Sequence, residues 1–493
     1  MNKLIRSKYA IFLVLAIALS MRLVAISQSL WLDEAIGALA VRDFSFSEII
    51  SDFMKFDNHP PLYYLDLKAW TIFLGFSEIA LRFPSIIYGV LTVYLIYLIA
   101  KKIFGNKGYY FPILATILLA TSPFHIYYSQ EARMYSLATF LASVAIYSFL
   151  FLLDERVRTY YWLLFSFSVT ALIFTDYVPV FLLPVFWIMG AIEKKNLSWW
   201  RRFVFAHIPM VFLGIFWLPT FLIQIGKGKW LLTTLPKWQQ IAGGATFKQA
   251  ALVWMKFVLG RISFSNKLFY YSSVSIASIP FLLSGIYFFK AKQKFKIVRL
   301  WLLTPLILGF VLSFWIPLFI YFRFLYIIPA FYILVAAGVL VIKQKRFKYL
   351  LISSLILVNF TGWVLYVSDA HQQREQWREA TFFVDNKVLS DETVIFEYPD
   401  AFSPYRWYSE GSVTAIGVTD SISADPVKTS QRTNEVISNK EGVYYFEYLR
   451  DLSDPDRIVE KTLQDSGFRI YEVYDYFPGV GQIFYWRKTA TYD

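Results

Sequence analysis

Two adjacent carboxylates, Asp33 and Glu34, stand in the run Leu30-Trp31-Leu32-Asp33-Glu34-Ala35, just beyond the first long apolar stretch. Such a pair can hold a divalent ion, or one member can take a proton from a hydroxyl as general base. The plain alternative is an acidic turn that caps a surface helix. A second group lies in Asp57-Asn58-His59-Pro60-Pro61-Leu62-Tyr63-Tyr64. The double proline stiffens the backbone and fixes the turn that presents His59. An imidazole there can contact a phosphate or bind a metal. It can equally be a solvated histidine in an ordinary turn. The chain has four histidines, too few for a His-rich metal cluster. A divalent ion would draw on Asp33 and His59.

Further candidates are charges next to apolar stretches. Glu131 and Arg133 lie in Gln130-Glu131-Ala132-Arg133-Met134-Tyr135, where the next apolar block begins. Charge at that place is costly unless it is paired. The partner is either the other member or a polar substrate. Asp176, in Thr175-Asp176-Tyr177, occupies a similar helix end. Arg323, in Tyr321-Phe322-Arg323-Phe324, is either a snorkelling anchor or a guanidinium fork facing a lipid phosphate. Arg82, before Phe83-Pro84, has the same two readings. The phosphate-cradling loop, the dinucleotide fingerprint and the HExxH zinc motif are all absent. ATP-driven transport is therefore unsupported. The chain has no cysteine, which excludes disulfides, thiol catalysis and thiolate-bound metals.

The elements that must position these residues are membrane helices. The chain is 57% hydrophobic, with mean hydropathy +0.48. The apolar residues fall in blocks near 9–26, 83–100, 109–122, 135–153, 160–175, 177–192, 203–223, 268–289, 297–315, 322–342 and 348–367. That pattern predicts about eleven spans. The first block lacks a small-residue cleavage site, so it reads as a retained helix and not as a signal peptide. Basic residues gather in alternate short loops: Lys101, Lys102 and Lys107; Arg156 and Arg158; Lys194, Lys195, Arg201 and Arg202; Lys290, Lys292, Lys294, Lys296 and Arg299; and Lys343, Lys345, Arg346 and Lys348. This bias puts those loops and the N-terminus in the cytoplasm. It also explains the net charge of +13 without nucleic acid.

Two long loops, 27–82 and 224–267, then face outwards. In the first, Ser45 and Glu48 form a capping-box pair ahead of an amphipathic helix suited to a membrane surface. In the second, the stretch 247–261 reads as another such helix. From about residue 368 the apolar blocks stop. Strands are expected near 393–398, 413–418, 443–448, 469–474 and 482–486, with helices near 374–387 and 456–465. The expected organisation is an α-helical polytopic membrane domain over 1–368, followed by a soluble α/β domain over 369–493 on the outer side of the cell membrane.

In order along the chain, Leu-Trp-Leu-Asp-Glu-Ala at 30–35, His-Pro-Pro-Leu at 59–62, Leu-Arg-Phe-Pro-Ser at 81–85, the Gln130–Tyr135 run and the Arg323 segment resemble the GT-C polytopic glycosyltransferases. The likeness is to glycosyltransferase family 39, the dolichyl-phosphate-mannose-protein mannosyltransferase-like group, and its bacterial or archaeal relatives. The resemblance implies a sugar donor carried on polyprenyl phosphate and a glycan, lipid or protein acceptor outside the cytoplasm. It implies Asp33 as catalytic acidic residue, with Glu34 supporting it or helping to bind acceptor or metal. It places His59 and Asn58 near the phosphate, Glu131 and Arg133 in the active cavity, and Arg323 on the lipid phosphate. The C-terminal pattern departs from the β-trefoil of eukaryotic protein mannosyltransferases. A transporter or flippase of a lipid-linked sugar is the alternative. Polar groups at outer helix ends, not at the bilayer midplane, speak against it. A mere anchor for the C-terminal domain would need one helix.

Overall fold

Apolar stretches without interior charge fold as helices, because a backbone away from water must satisfy its own N–H and C=O groups. The computed structural model describes residues 3–105, 110–154, 157–289, 295–411 and 413–489. Lys107, Arg156, Lys290, Lys292 and Lys294, read above as cytoplasmic charges, lie outside them. Among the described residues six helices are long and apolar enough to cross a bilayer: Glu78–Phe104, Tyr135–Leu152, Leu197–Thr234, Lys267–Phe288, Tyr321–Val341 and Lys345–Ser368. The expected spans near 9–26, 160–175 and 177–192 are shorter helices, Tyr9–Leu23, Thr159–Thr175 and Val178–Ile192. The span expected at 109–122 is a bent pair, Tyr110–Ala120 and Pro123–Ser129, turning by 60°. Pro123 opens the second piece, and the Ser122 hydroxyl caps it by accepting from the His125 amide at 3.3 Å.

The chain forms two compact units. Unit 1 comprises Met1–Ile26, Phe44–Ile225 and Ala242–Gln372. Its first helix is tied to the bent pair by Arg22. That guanidinium donates to the carbonyls of Ala18 at 2.8 Å and Ala120 at 3.1 Å, and meets His125 Nδ1 at 2.7 Å. Gln130 donates to the carbonyls of Arg22 at 2.8 Å and Val24 at 2.5 Å. These bonds fix the buried stretch that carries Glu131 and Arg133.

Unit 2 comprises Ser27–Asp43, Gly226–Ile241 and Gln373–Asp493. The sequence suggests a single cut near 368, but two earlier segments join the C-terminal part. The cause is a set of long-range bonds. The Leu30 amide donates to the Tyr408 hydroxyl at 2.7 Å, and the Arg374 amide to Gln28 Oε1 at 2.9 Å. Ser29 Oγ donates to the Glu375 carbonyl and to Glu379, both at 2.9 Å.

The strands of unit 2 are β1 Glu392–Phe396, β2 Ala415–Gly417, β3 Gly442–Phe446, β4 Phe468–Tyr474 and β5 Ile483–Lys488. They form one sheet in the order β2-β1-β3-β5-β4. β1 is parallel to β2 and β3, while β5 is antiparallel to β3 and β4. β1 and β3 are buried throughout, as strands covered on both faces must be. Phe396 and Phe446 pack on one face with Trp377, Phe402 and Tyr405, and Leu32 packs against that cluster. Ile395, Val443 and Tyr445 pack on the other with Val459, Leu463 and Trp486.

Candidate active site

In unit 1 the His59 turn is built around Asp57. One Asp57 oxygen accepts from the His59 amide at 2.8 Å and meets His59 Nδ1 at 2.7 Å; the other accepts from the Tyr64 hydroxyl at 2.9 Å. Arg133 in turn donates to Tyr64 at 3.3 Å. Burial would push the Asp57 carboxyl up, but His59, Arg133 and the Tyr64 hydrogen bond outweigh it and hold it at about 2. The turn is pinned by Gln224, which donates to the carbonyls of Met54 at 2.9 Å and His59 at 3.0 Å. Gln224 also accepts from Tyr177 at 2.6 Å.

Asp176 is buried beside this turn and accepts from the Val178 amide at 3.1 Å. Burial lifts its carboxyl above the usual range, against the pull of His59, Arg323 and Arg133. Four of the residues singled out above, His59, Arg133, Asp176 and Arg323, therefore share one electrostatic neighbourhood. Asn58 is exposed next to His59. Arg82 serves elsewhere in unit 1: it is buried and donates to the Ile26 carbonyl at 2.7 Å, at the end of the first helix.

Glu131 belongs to a second group, with Arg261, Tyr127, Tyr128 and Tyr321. The Phe247–Leu259 helix ends at Gly260, whose φ of +80° allows the sharp exit that delivers Arg261. The Arg261 guanidinium donates to the Tyr127 hydroxyl and lies over that ring, 5.0 Å from its centroid. Lys256, on the same helix, is buried and donates to the Ile262 carbonyl at 2.9 Å. Burial first, then Arg261 and Lys267, lower its ammonium to about 7.

Asp33 and Glu34 lie in unit 2, in the first turn of the Leu32–Asp43 helix. The two carboxylates have different environments. Glu34 is fully buried, with one oxygen 3.4 Å from Arg374 Nε and 3.4 Å from the Trp31 amide. Asp33 is half-buried and lines a cavity of about 320 Å³ within unit 2. Among the described residues no three His, Asp or Glu side chains come together as a metal-ligand set. Asp33 and His59, the pair a divalent ion would use, fall in different units.

Asp57, Lys256, Arg261 and Arg374 are absent from the sequence-based set. Asp57 carries a signal, an Asx residue two before the residue whose amide it accepts. Gly260 before Arg261 is another, since glycine after an amphipathic run marks a helix end. Arg374 has none, because its partner is remote in sequence.

The architecture has known counterparts. The chain matches ArnT from Cupriavidus metallidurans bound to undecaprenyl phosphate at 12% identity and TM-score 0.55, over 99% of this chain and 98% of that one. The chain shares the fold of that protein. The archaeal oligosaccharyltransferase AglB from Archaeoglobus fulgidus, in complex with an inhibitory peptide and a dolichol-phosphate, matches this chain at 13% identity and TM-score 0.51. That match covers 99% of this chain and 75% of the other. The arabinofuranosyltransferase AftD from Mycobacteria matches at 13% identity and TM-score 0.52, over 99% of this chain and 40% of that one. Residues 58–223 match the family described as dolichyl-phosphate-mannose-protein mannosyltransferase. That stretch contains His59, Arg82, Glu131, Arg133 and Asp176. No curated protein sequence matches the chain. The chain shares the fold of these membrane proteins, and among its described residues six helices are long and apolar enough to cross a bilayer.

Proposed function

We propose that this GT-C glycosyltransferase moves a sugar from a polyprenyl-phosphate carrier to an acceptor hydroxyl outside the cytoplasm, with Asp33 as general base. The observation that carries the reading is the gathering of His59, Arg133 and Arg323 around Asp176, in a fold shared with a protein solved bound to undecaprenyl phosphate. Fixed guanidinium groups such as Arg133 and Arg323 are what a departing phosphate needs as negative charge builds on it. Arg323, Arg133 and His59, with Asn58 beside it, take the phosphate and sugar. Arg261 adds positive charge near Glu131, with Lys256 beside Arg261.

In the reaction the acceptor oxygen forms a bond to the anomeric carbon. The bond from that carbon to the phosphate oxygen breaks, and its electron pair leaves with the polyprenyl phosphate. Asp33 takes the acceptor proton. One base and one leaving group make a single displacement, so the anomeric configuration inverts. Glu34 acts as a positioning residue through Arg374, and Arg82 by holding the end of the first helix.

The same reading takes as eleven crossings the six long helices, the bent pair, the three shorter apolar helices and Lys296–Leu312. The N-terminus is cytoplasmic and the protein sits in the cell membrane. Residues 1–368 carry the membrane domain, and the α/β domain of 369–493 lies outside.

The test is incubation of purified protein with labelled polyprenyl-phosphate sugars and an acceptor extract, followed by mass analysis of the product. Asp33→Asn is expected to lower transfer by roughly 10²–10⁴-fold with an unchanged melting temperature. Full activity in that variant would remove Asp33 from the role.

A further inference from the structure

A turn that presents an imidazole needs donors for its own carbonyls. Pro60 and Pro61 follow His59, and neither carries a backbone N–H. The turn is therefore poor in donors on that side. Gln224 supplies them from another element. Its Nε2 donates to the His59 carbonyl at 3.0 Å and to the Met54 carbonyl at 2.9 Å. Met54 belongs to the short 3-10 helix Phe53–Lys55 that enters the turn, and His59 stands at its exit. One carboxamide thus closes both ends.

Gln224 is the single buried residue of the Ile208–Thr234 helix; the others there are exposed or half-buried. A buried carboxamide is costly unless its polar atoms have partners. Both atoms are used. Oε1 accepts from the Tyr177 hydroxyl at 2.6 Å, and that hydroxyl accepts from Trp217 Nε1 at 2.7 Å. Backbone carbonyls only accept, so the amide nitrogen must be the atom that faces the turn. The donors therefore run one way, from Trp217 to Tyr177 to Gln224 to His59. Trp217, Phe221 and Gln224 recur at i, i+4 and i+7, one face of a helix. The Phe221 ring meets the Tyr177 ring edge-on, with centroids 4.9 Å apart.

Tyr177 directly follows Asp176. The relay therefore grips both the turn that carries His59 and the segment that carries Asp176. The His59 ring is held separately, with Nδ1 2.7 Å from Asp57. An ionised carboxylate only accepts, so Nδ1 carries the proton between them and Nε2 is left for a ligand. Asp57 orients the ring, and Gln224 places the backbone that bears it. The direction of Nε2 depends on both.

We infer that Gln224 is a positioning residue of the candidate site, setting His59 relative to Asp176 through this relay. Its effect on turnover rests on the transferase reading above, whereas its effect on His59 does not.

The first measurement needs no substrate. The full chain is prepared with isotope-labelled histidine in lipid nanodiscs, and the imidazole signals are followed by NMR. The chain has four histidines, and His59→Gln identifies the His59 signal by its loss. Gln224→Met removes the donors at similar side-chain size. The His59 signal is expected to shift or broaden, while that of His371 stays. Tyr177→Phe leaves the Gln224 N–H groups and frees only Oε1, so it should give a smaller change of the same kind. It also carries the test if Gln224→Met fails to fold. A His59 signal that neither substitution moves overturns the inference.

The second measurement is a double-mutant cycle on transfer, with unfolding midpoints taken on the same samples. A misplacement of about 1 Å can cost on the order of 10²-fold, so Gln224→Met should lower kcat/KM for the donor by about tenfold or more. In the His59→Gln background the same substitution should cost less than about threefold, because its effect passes through His59. Equal losses in both backgrounds overturn the inference, since a residue that only supports the fold acts alike in each. If His59→Gln leaves transfer unchanged, the part given to His59 in the transferase reading fails, and the NMR result still decides whether Gln224 sets the turn.

Discussion

Lys256 is buried among other cations, and its ammonium is held down to about 7. In the free enzyme it carries its charge below that value and loses it as pH rises through it. If it helps hold the donor phosphate, the donor KM should rise between pH 6 and pH 8.5. Loss of one charge-assisted hydrogen bond is worth about 1.5–3 kcal/mol, so a rise of at least roughly tenfold is expected. Lys256→Arg keeps its charge across this range and should flatten the profile. An unaltered slope in that variant would take Lys256 out of donor binding. The Glu34–Arg374 pair makes a different prediction. Both side chains are buried, so Glu34→Gln or Arg374→Met alone leaves a buried charge without its partner. Each should cost about 3–5 kcal/mol, read as a lowered midpoint in thermal unfolding. The double variant should recover much of that loss. The two acidic neighbours also mark how far sequence reads a site. Their carboxyl chemistry is visible in Leu-Trp-Leu-Asp-Glu-Ala. That Glu34 is committed to an ion pair while Asp33 faces a cavity is not, because Arg374 is far along the chain.

Among the elements, the turn after the Phe247–Leu259 helix bears most directly on the candidate site. Gly260 has φ +80°, and a Cβ there would meet Pro123 Cβ at 2.9 Å. Gly260→Ala should cost about 1–3 kcal/mol from backbone conformation alone and displace Arg261 from Tyr127. The expected result is a lower unfolding midpoint together with a higher donor KM. A lower midpoint with unchanged KM would mean that Arg261 holds its place by other means. The elements that sequence reads best are those specified locally. The Ser45–Glu48 capping box is present in both directions, at 3.3 Å and 2.7 Å. All five expected strands fall within a few residues of their places, because apolar runs between turn residues are a local signal. The Pro426–Ile437 helix is not among the expected elements, although Asp425 caps it and Pro426 opens it. Its buried face is Thr429, Thr433 and Ile437, too polar to show as an apolar stripe. The bend at Ser122-Pro123 is similarly hidden, since hydropathy sums over a window and does not register direction.

For the molecule as a whole, the topology can be tested without altering native residues first, because the chain has no cysteine. Lys194 and Phe56 are both exposed. With a membrane-impermeant maleimide, Phe56→Cys is expected to react in intact cells. Lys194→Cys should react only after the membrane is opened. The reverse pattern would invert the proposed orientation. Hydropathy locates the apolar helices, since the bilayer acts as solvent, and the orientation read from loop charge is what this labelling decides. The make-up of unit 2 is not legible in this way. Nothing near residues 27–43 or 226–241 announces that they join a sheet formed after residue 391.

That make-up has a consequence in time. The Leu32–Asp43 helix leaves the ribosome early, yet the residues that hold it, Arg374, Glu375 and Tyr408, come about 340 positions or more later. At roughly 5–20 residues per second, the Asp33 turn waits about 17–70 s for its partners. During that interval the nascent chain has its candidate base but not the support that orients it. On the proposed reading, a chain cut short before Tyr408 holds Asp33 without the contacts that orient its turn, and is expected to be inactive.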